Sequence, residues 1–579
     1  MKSTMPFSAI CKIATAFLLI IFLIGENNAQ LAIYDGDHIH HPVVGQKGMV
    51  ATQHPDATKA GIEILKKGGN AVDAAVAVGF ALAVVLPRAG NIGGGGFMLI
   101  HSPDMVEPIA INYRERAPSD AYKEMFLDKD KNVDNHLFNL SHLSVGIPGT
   151  VAGLTQALEK YGTLSLKEVL KPAIRLAEKG FVVTWDLSRM LKEYEPRLKK
   201  WPSTAKIFYK KNGGYYRPGD LLIQKDLAWS LKEIAKYGSK AFYNGKIAQK
   251  LAKYSQENGG MITLEDLSNY YPTETKAISN TYRGHTIYSM PPPSSGGVHL
   301  IQILNILEKY DLTGMGHNSA ASIHLMVEAM KQAYADRSKH LGDPAFWEVP
   351  VDWLISKEYA TSIQNKINQT YTIPSEQINP GQPEDFESEE TTHFSVADQY
   401  GNVVSNTYTL NFSFGTGIVA EGTGIILNNE MGDFSAKPGS PDAYGLIGGE
   451  ANAIYPGKRP LSSMTPTMIF KGKKPYLLTG TPGGSRIITT VLQVIVNIID
   501  HQMNIADASH APRFHHQWYP DMLFFERGFS IDTKRLLVDK GHNPQLRPVM
   551  GSSQTIMLKD GLLFGASDPR RPDAQTIGY

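Results

Sequence analysis

The chain predicts an α+β fold, helix-rich over residues 30–390 and strand-rich over residues 391–579. Three observations carry this. Two helical patterns follow one another between His54 and Pro87. Residues 150–390 are mostly helical in pattern, with charged amphipathic segments at Ser165–Gly180 and Ala321–His340. From residue 391 onward, strand patterns and glycine-rich turns dominate. No repeat at a solenoid or propeller period interrupts this order.

The first residues read as a secretory signal. Lys2 and Lys12 precede an apolar run from Ala14 to Ile24, and small and polar residues lead to Asn28-Ala29. The run is too short for a bilayer span and suits a signal segment cut near Ala29, which places the mature chain in the periplasm or outside the cell. The only cysteine, Cys11, lies inside this segment. The mature chain would then have no disulfide, no thiol nucleophile and no cysteine-based zinc site. The full chain has a net charge of +1. Removing residues 1–29 brings it to zero, so nothing points to nucleic acid or to an anionic membrane.

The first helical pattern, Ala57 to Leu65, is ended by Gly68-Gly69. The second, Ala71 to Val85, is apolar all round, with Asp73 in its first turn where the helix dipole favours a carboxylate. It predicts a buried helix. Gly93-Gly94-Gly95-Gly96 then enters the strand-like Phe97–Ile100. No Gly-Lys-Ser/Thr follows, so close backbone packing explains the glycines better than a phosphate loop. Pro291-Pro292-Pro293-Ser294-Ser295-Gly296-Gly297 marks an ordered loop or turn. Residues 372–390, rich in Pro, Glu and Gln, read as a mobile linker that ends at Glu390-Thr391.

That boundary is where chemistry enters. If the Glu390–Thr391 bond is cut, Thr391 becomes an N-terminal residue that holds both nucleophile and base: its hydroxyl attacks and its α-amino group takes the proton. An α-amino pKa of about 7.7–8 suits that task near neutral pH. The expected activity is amide cleavage with acyl transfer. Strands Thr391–Ala397 and Val403–Asn411 flank the turn Asp398–Asn402, so pairing Ala397 with Val403 sets Thr391 opposite Thr409, with Asn411 just beyond. Thr409 is then a hydroxyl partner of the nucleophile or simply a strand threonine in a cross-strand pair.

Downstream, Glu430 and Asp433 stand three apart in the turn-forming run Leu427–Phe434. They can hold an ammonium group or form a solvated acidic turn; no EF-hand pattern supports calcium. Ser462 and Ser463 follow Arg459-Pro460 without a nucleophile elbow and read as loop hydroxyls able to donate to a carboxylate. Thr481-Pro482-Gly483-Gly484-Ser485-Arg486 leads into an apolar helix. Its glycine N–H groups could form an oxyanion hole, or an anion site lacking the usual lysine. Upstream, Arg114 or Arg116 could clamp a carboxylate.

Taken in order, these pieces resemble the γ-glutamyltranspeptidase family, bacterial type, along essentially the whole mature chain. The carriers are His54–Ala57, Asn70–Ala75, Gly93–Gly96 and Arg114–Pro118, then Thr391–Val396, Phe414–Gly417, Asn428–Phe434, Arg459–Ser463 and Pro482–Arg486. The resemblance implies an N-terminal-nucleophile hydrolase fold, a four-layer αββα sandwich. It implies a precursor that cuts itself before Thr391 into large and small chains that stay together. It also implies roles: Thr391 as nucleophile, Thr409 as its hydroxyl partner, and Gly483 and Gly484 as the oxyanion hole. Arg114, Ser462 and Ser463 would hold the α-carboxylate of a γ-glutamyl substrate such as glutathione, and Asn411, Glu430 and Asp433 its α-amino group. The loop Gly439 to Ala451, with Tyr444, resembles a lid. No metal or organic cofactor is implied.

Three rivals can be set beside this. A cephalosporin or glutaryl acylase would share the nucleophile but favour a side chain without the α-amino group, leaving Glu430 and Asp433 unpaired. A secreted solute-binding protein would not cut itself. A metallohydrolase could draw on His38, His40 and His41 or on His515-His516, but no His-Glu-x-x-His spacing exists.

Overall fold

Two seven-stranded antiparallel sheets lie face to face in the computed structural model, which describes residues 38–378, 391–440 and 445–579. Pro42–Tyr579 form one unit. The expected signal segment, Glu390 and Tyr444 lie outside the described residues. The strands of the two sheets are β1 (Val43–Gly45), β2 (Gly48–Thr52), β3 (Gly95–His101), β4 (Ile109–Asn112), β5 (Thr273–Lys276), β6 (Ile278–Tyr282), β7 (His285–Ser289), β8 (Thr392–Asp398), β9 (Val403–Thr409), β10 (Thr467–Lys471), β11 (Lys474–Thr479), β12 (Gln554–Lys559), β13 (Leu562–Ser567) and β14 (Gln575–Gly578). One sheet runs β14-β2-β8-β9-β3-β4-β5 and the other β1-β13-β12-β11-β10-β7-β6.

The strand period of two builds the layers. Val50, Met98, Ile100, Phe394, Val396, Val404 and Tyr408 point from the first sheet into a core shared with helices α1 (Pro55–Lys66) and α2 (Ala71–Val85). Their neighbours Met49, Ala51, Phe97, Leu99, Ala397 and Val403 point the other way. There they join Ile287, Met468, Ile469, Leu477 and Ile556 of the second sheet and helices α3 (Gly296–Leu307), α4 (Ala320–His340) and α5 (Arg486–Ile499). Each of the Val, Leu, Ile, Phe and Met side chains among these contributes about 1.5–3 kcal/mol when fully buried. The result is helices, sheet, sheet, helices: the expected αββα sandwich.

Helix α2 spans the residues its pattern predicts, and all fifteen are buried. Asn70 caps it: its Oδ1 accepts from the Val72 and Asp73 N–H groups, while Asp73 Oδ2 accepts from the Asn70 N–H at 2.8 Å. The four glycines do pack against backbone. A Cβ on Gly93 would stand 2.1 Å from the Ile426 carbonyl oxygen, and one on Gly94 2.0 Å from that of Thr409. They let β3 lie against the end of β9.

Two expectations need correction. Residues 30–390 are not only helix-rich: β1 to β7 all precede Thr391, and each sheet takes strands from both sides of that residue. Strands β5 to β7 escape a pattern reading because Thr273–Lys276 and Ile278–Tyr282 carry polar or half-exposed residues at most positions. Nor is the start of 372–390 a free linker. Thr372 and Ile373 bond Glu328 and Lys331 on α4, and Ser375 donates to Asp521 through its N–H at 2.8 Å and to the Trp518 carbonyl through its hydroxyl at 2.6 Å. Polar composition does not show partners that lie elsewhere in the chain.

Candidate active site

The hairpin of β8 and β9 pairs Thr392 with Tyr408 and Ala397 with Val403, the register that the turn predicts. Thr391 directly precedes β8 and faces Thr409, with 3.5 Å between their hydroxyl oxygens. Both are nearly fully buried. The Thr409 hydroxyl also accepts the Asn411 N–H at 2.8 Å, which polarises it toward donating onward. Asn411 sits in the left-handed region at φ 73°, and its Nδ2 donates to the Asn429 carbonyl at 3.1 Å.

One pocket gathers Thr391, Thr409, Asn411, Arg114, Glu430, Asp433, Ser462, Ser463 and Gly484. Gly483 adjoins Gly484 at the mouth of α5 without lining the pocket. Gly483 (φ 135°) and Gly484 (φ 54°) both hold conformations that L side chains rarely adopt. Among the described residues neither spends its N–H on a hydrogen bond, so both donors are available to a developing negative charge. The turn is braced from below, where Thr481 Oγ1 accepts the Ser552 N–H at 2.7 Å.

The structure chooses between the two arginines. Arg114 is fully buried and contacts Glu430 through Nη1 and Asp433 through Nη2, and it also donates to the carbonyls of Pro460 and Leu461. Arg116 turns away to the Gly457 carbonyl and the Tyr271 ring. Burial alone would depress the Arg114 guanidinium, but the carboxylates of Glu430, Asp433 and Glu115 outweigh it and raise its pKa. Burial pushes the Glu430 carboxyl well up against the opposing pull of Arg114. Arg114, Glu430 and Asp433 thus form one charge cluster, where the sequence reading separates a carboxylate subsite from an ammonium subsite.

This contact corrects the argument against an acylase. A substrate without an α-amino group would not leave Glu430 and Asp433 unpaired, because Arg114 already pairs them. What the cluster does hold is an excess of carboxylates over guanidinium, which opposes a ligand bringing only negative charge.

The Pro291–Gly297 loop positions the serines. Ser462 donates its N–H to the Pro293 carbonyl at 2.9 Å, its own carbonyl accepts the Ser295 N–H and hydroxyl, and Ser294 Oγ donates to the Met464 carbonyl at 2.6 Å. Sequence reasoning missed Arg337, on α4, which lines the pocket and donates to Ser295 Oγ at 3.0 Å and Ser463 Oγ at 3.4 Å. It also missed Glu115 and the apolar wall of Leu446, Leu461, Met464 and Ile487. The available signal for Arg337 was a charge in the last turn of a helix otherwise buried along most of its length.

Of the histidines offered to a metal reading, His515 and His516 do not line the pocket. His515 bonds Thr489 and Gln517, and His516 bonds Asp521. Among the described residues one three-ligand group, His324, Glu328 and His542, occurs. Its members are engaged with one another and with Asn368, Lys331 and Thr372.

The family described as Gamma-glutamyltranspeptidase matches residues 57–578. A glutathione hydrolase proenzyme of Escherichia coli (strain K12) is 54% identical over 544 residues, covering 94% of each chain. Among solved structures, a cephalosporin acylase from Bacillus halodurans superposes with a TM-score of 0.83 at 30% identity, over 96% of this chain and 99% of its own. The gamma-glutamyltranspeptidase of Helicobacter pylori shares 50% identity with a TM-score of 0.56, over 57% of this chain and 94% of the matched one. The matched span runs from α1 to β14 and takes in every residue of the pocket, so the chain belongs to the gamma-glutamyltranspeptidase family.

Proposed function

We propose that the protein is a self-processing γ-glutamyl hydrolase and transferase that acts on glutathione and related γ-glutamyl compounds. The observation that carries this is a buried threonine pair, Thr391 and Thr409, lining one pocket together with the Arg114–Glu430–Asp433 cluster. A γ-glutamyl group fits such a pocket: a carbon chain between a zwitterionic head and an amide.

Scission of the Glu390–Thr391 peptide bond gives a large chain ending at Glu390 and a small chain beginning at Thr391. The new amine makes Thr391 both attacker and proton acceptor. The hydroxyl oxygen adds to the γ-carbonyl carbon while its proton passes to the amine. The N–H groups of Gly483 and Gly484 receive the oxyanion, a donor pair worth a few kcal/mol per bond at the transition state. The C–N bond then breaks, the leaving amine takes the proton, and a γ-glutamyl ester remains on Thr391. Water, or the amine of an amino acid or peptide, repeats the sequence in reverse to release glutamate or a new γ-glutamyl compound.

In this reading Arg114, Ser462 and Ser463 take the α-carboxylate, and Asn411, Glu430 and Asp433 the α-ammonium. The ligand's own two charges exchange places with the internal ion pairs, so little charge is left uncompensated. Leu446, described within the segment Gly439 to Ala451, lines the pocket, and no metal or cofactor is needed. Export through the N-terminal signal places the enzyme in the periplasm or medium. The test is a denaturing gel for two fragments, together with turnover of γ-glutamyl-p-nitroanilide with and without chelator. A single intact, active chain would overturn the proposal.

A further inference from the structure

Three carboxyl groups surround one guanidinium beneath the pocket. Arg114 Nη1 touches Glu430 and lies 3.5 Å from Glu115 Oε2, and Nη2 touches Asp433. The side chains of Arg114, Glu115 and Glu430 are fully buried, and that of Asp433 is 13% exposed. If all three carboxyls were ionised, the site would hold two uncompensated negative charges out of water, at a cost of several kcal/mol each. No N–H or O–H of another described residue donates a hydrogen bond to either Glu115 oxygen or to Glu430 Oε2. Besides its own backbone N–H and the Arg114 guanidinium at 3.5 Å, the polar group within reach of Glu115 is the Glu430 carboxyl. Two carboxyls can hydrogen-bond each other only by holding a proton between them. The space for Glu115 is built in, since a Cβ on Gly95 would stand 2.7 Å from its Oε2.

We propose that Glu115 and Glu430 share one proton, and that Glu115, a positioning residue with no contact to substrate, thereby sets the charge of the α-ammonium subsite and its selectivity. This rests on the γ-glutamyl reading above. With the proton held, the Arg114 cluster carries one net negative charge; without it, two. Burial pushes the Glu115 carboxyl up to about 7 against the pull of Arg114, so the change falls near neutral pH. The groups that face Glu115 are Arg114, Glu430 and Asp433 on one hand, and Tyr113, Tyr243 and Tyr270 on the other. Burial holds the three tyrosines neutral, and the Arg459 guanidinium packs over the Tyr270 ring. The shared proton is therefore the charge around Glu115 that changes between pH 5.5 and 8.5.

The test compares kcat/KM for γ-glutamyl-p-nitroanilide and glutaryl-p-nitroanilide, which differ only in the α-amino group. Their ratio cancels titration of the Thr391 amine and the chemistry of the leaving group. In the wild type the ratio rises by about tenfold across pH 5.5–8.5, the effect of one added charge beside the ammonium at a high effective dielectric. In Glu115→Gln, whose amide donates permanently to an ionised Glu430, the ratio is flat. A flat wild-type ratio, or an unchanged rise in Glu115→Gln, overturns the proposal.

A second measurement does not depend on activity. A carboxyl raised in the folded state binds a proton there that the unfolded chain has released, so wild-type stability falls as pH rises from about 4.3 to 7. The Tm of Glu115→Gln should therefore climb relative to wild type between pH 5 and 8. Parallel curves would overturn the shared proton. Absence of γ-glutamyl turnover by the wild type would strike the function reading alone and leave this thermal arm intact.

Discussion

Replacing Thr409 by valine keeps the β-branched shape and removes one hydroxyl. That hydroxyl accepts the Asn411 N–H at 2.8 Å and stands 3.5 Å from the Thr391 hydroxyl. Asn411 is 1% exposed, so water cannot replace the lost acceptor. An unsatisfied buried donor costs about 1–3 kcal/mol, and loss of the contact to Thr391 adds up to about 1 kcal/mol. If about 1.4–2.7 kcal/mol of this falls on the transition state, kcat drops by about 10–100-fold. The assay is steady-state turnover of γ-glutamyl-p-nitroanilide, normalised to the cut fraction seen on a denaturing gel, so that slow maturation is not mistaken for slow chemistry. Thr409→Ser, which keeps the oxygen, should stay within a few-fold of wild type. A valine variant with kcat within twofold of wild type would refute the reasoning, as would a serine variant equally impaired.

Thr391→Ala should remain a single inactive chain, and two fragments on a denaturing gel would count against Thr391 as the agent of scission. Arg114→Ala should raise KM for γ-glutamyl donors far more than it slows scission, and should cost about 3–5 kcal/mol of stability because Glu430 and Asp433 lose their buried partner; urea unfolding and saturation kinetics check both. Gly484→Val should lower kcat by about 10²-fold or more, since φ 54° is unfavourable for a β-branched residue and the turn would shift its N–H donors. Burial also holds His54, His299, His393, His515 and His542 neutral, with pKa values of about 4, 3, 3, 3 and 2. Their folded values lie below the unfolded one, so the stability they support is present above pH 6.5 and is lost as pH falls through that value, by about 2 kcal/mol per site at pH 5. Tm measured at pH 7.5 and pH 5 should fall steeply, and a flat profile would contradict their burial.

Much of this arrangement was legible from local signals. Gly69-Asn70 before it and Pro87 after it bracket an apolar run whose helix bounds match its pattern, and the Asp398–Asn402 turn fixes a register that brings Thr391 to Thr409. Features decided by distant partners were not legible. Strands β5 to β7 are too polar to declare themselves without their neighbours in the sheets. Thr372 and Ser375 read as linker until Glu328 and Asp521 are seen to hold them. The same holds in the site. Arg114 and Arg116 are equivalent on paper, and only the fold sends one inward. The direct pairing of Arg114 with Glu430 and Asp433 spans more than 300 residues and leaves no trace in spacing.

Because each sheet draws strands from both sides of Thr391, the two products of scission could not be separated and remain folded. β8 lies between β2 and β9, and β14, at the far end of the sequence, closes the edge beside β2. The carbonyl oxygen of Tyr579 accepts from the N–H groups of Gln46 and Lys47. The sheet that carries Thr391 is thus finished only when residues 575–579 are in place. A polypeptide built this way lacks one strand of that sheet until β14 has been synthesised, so the pocket's supporting layer closes late in folding.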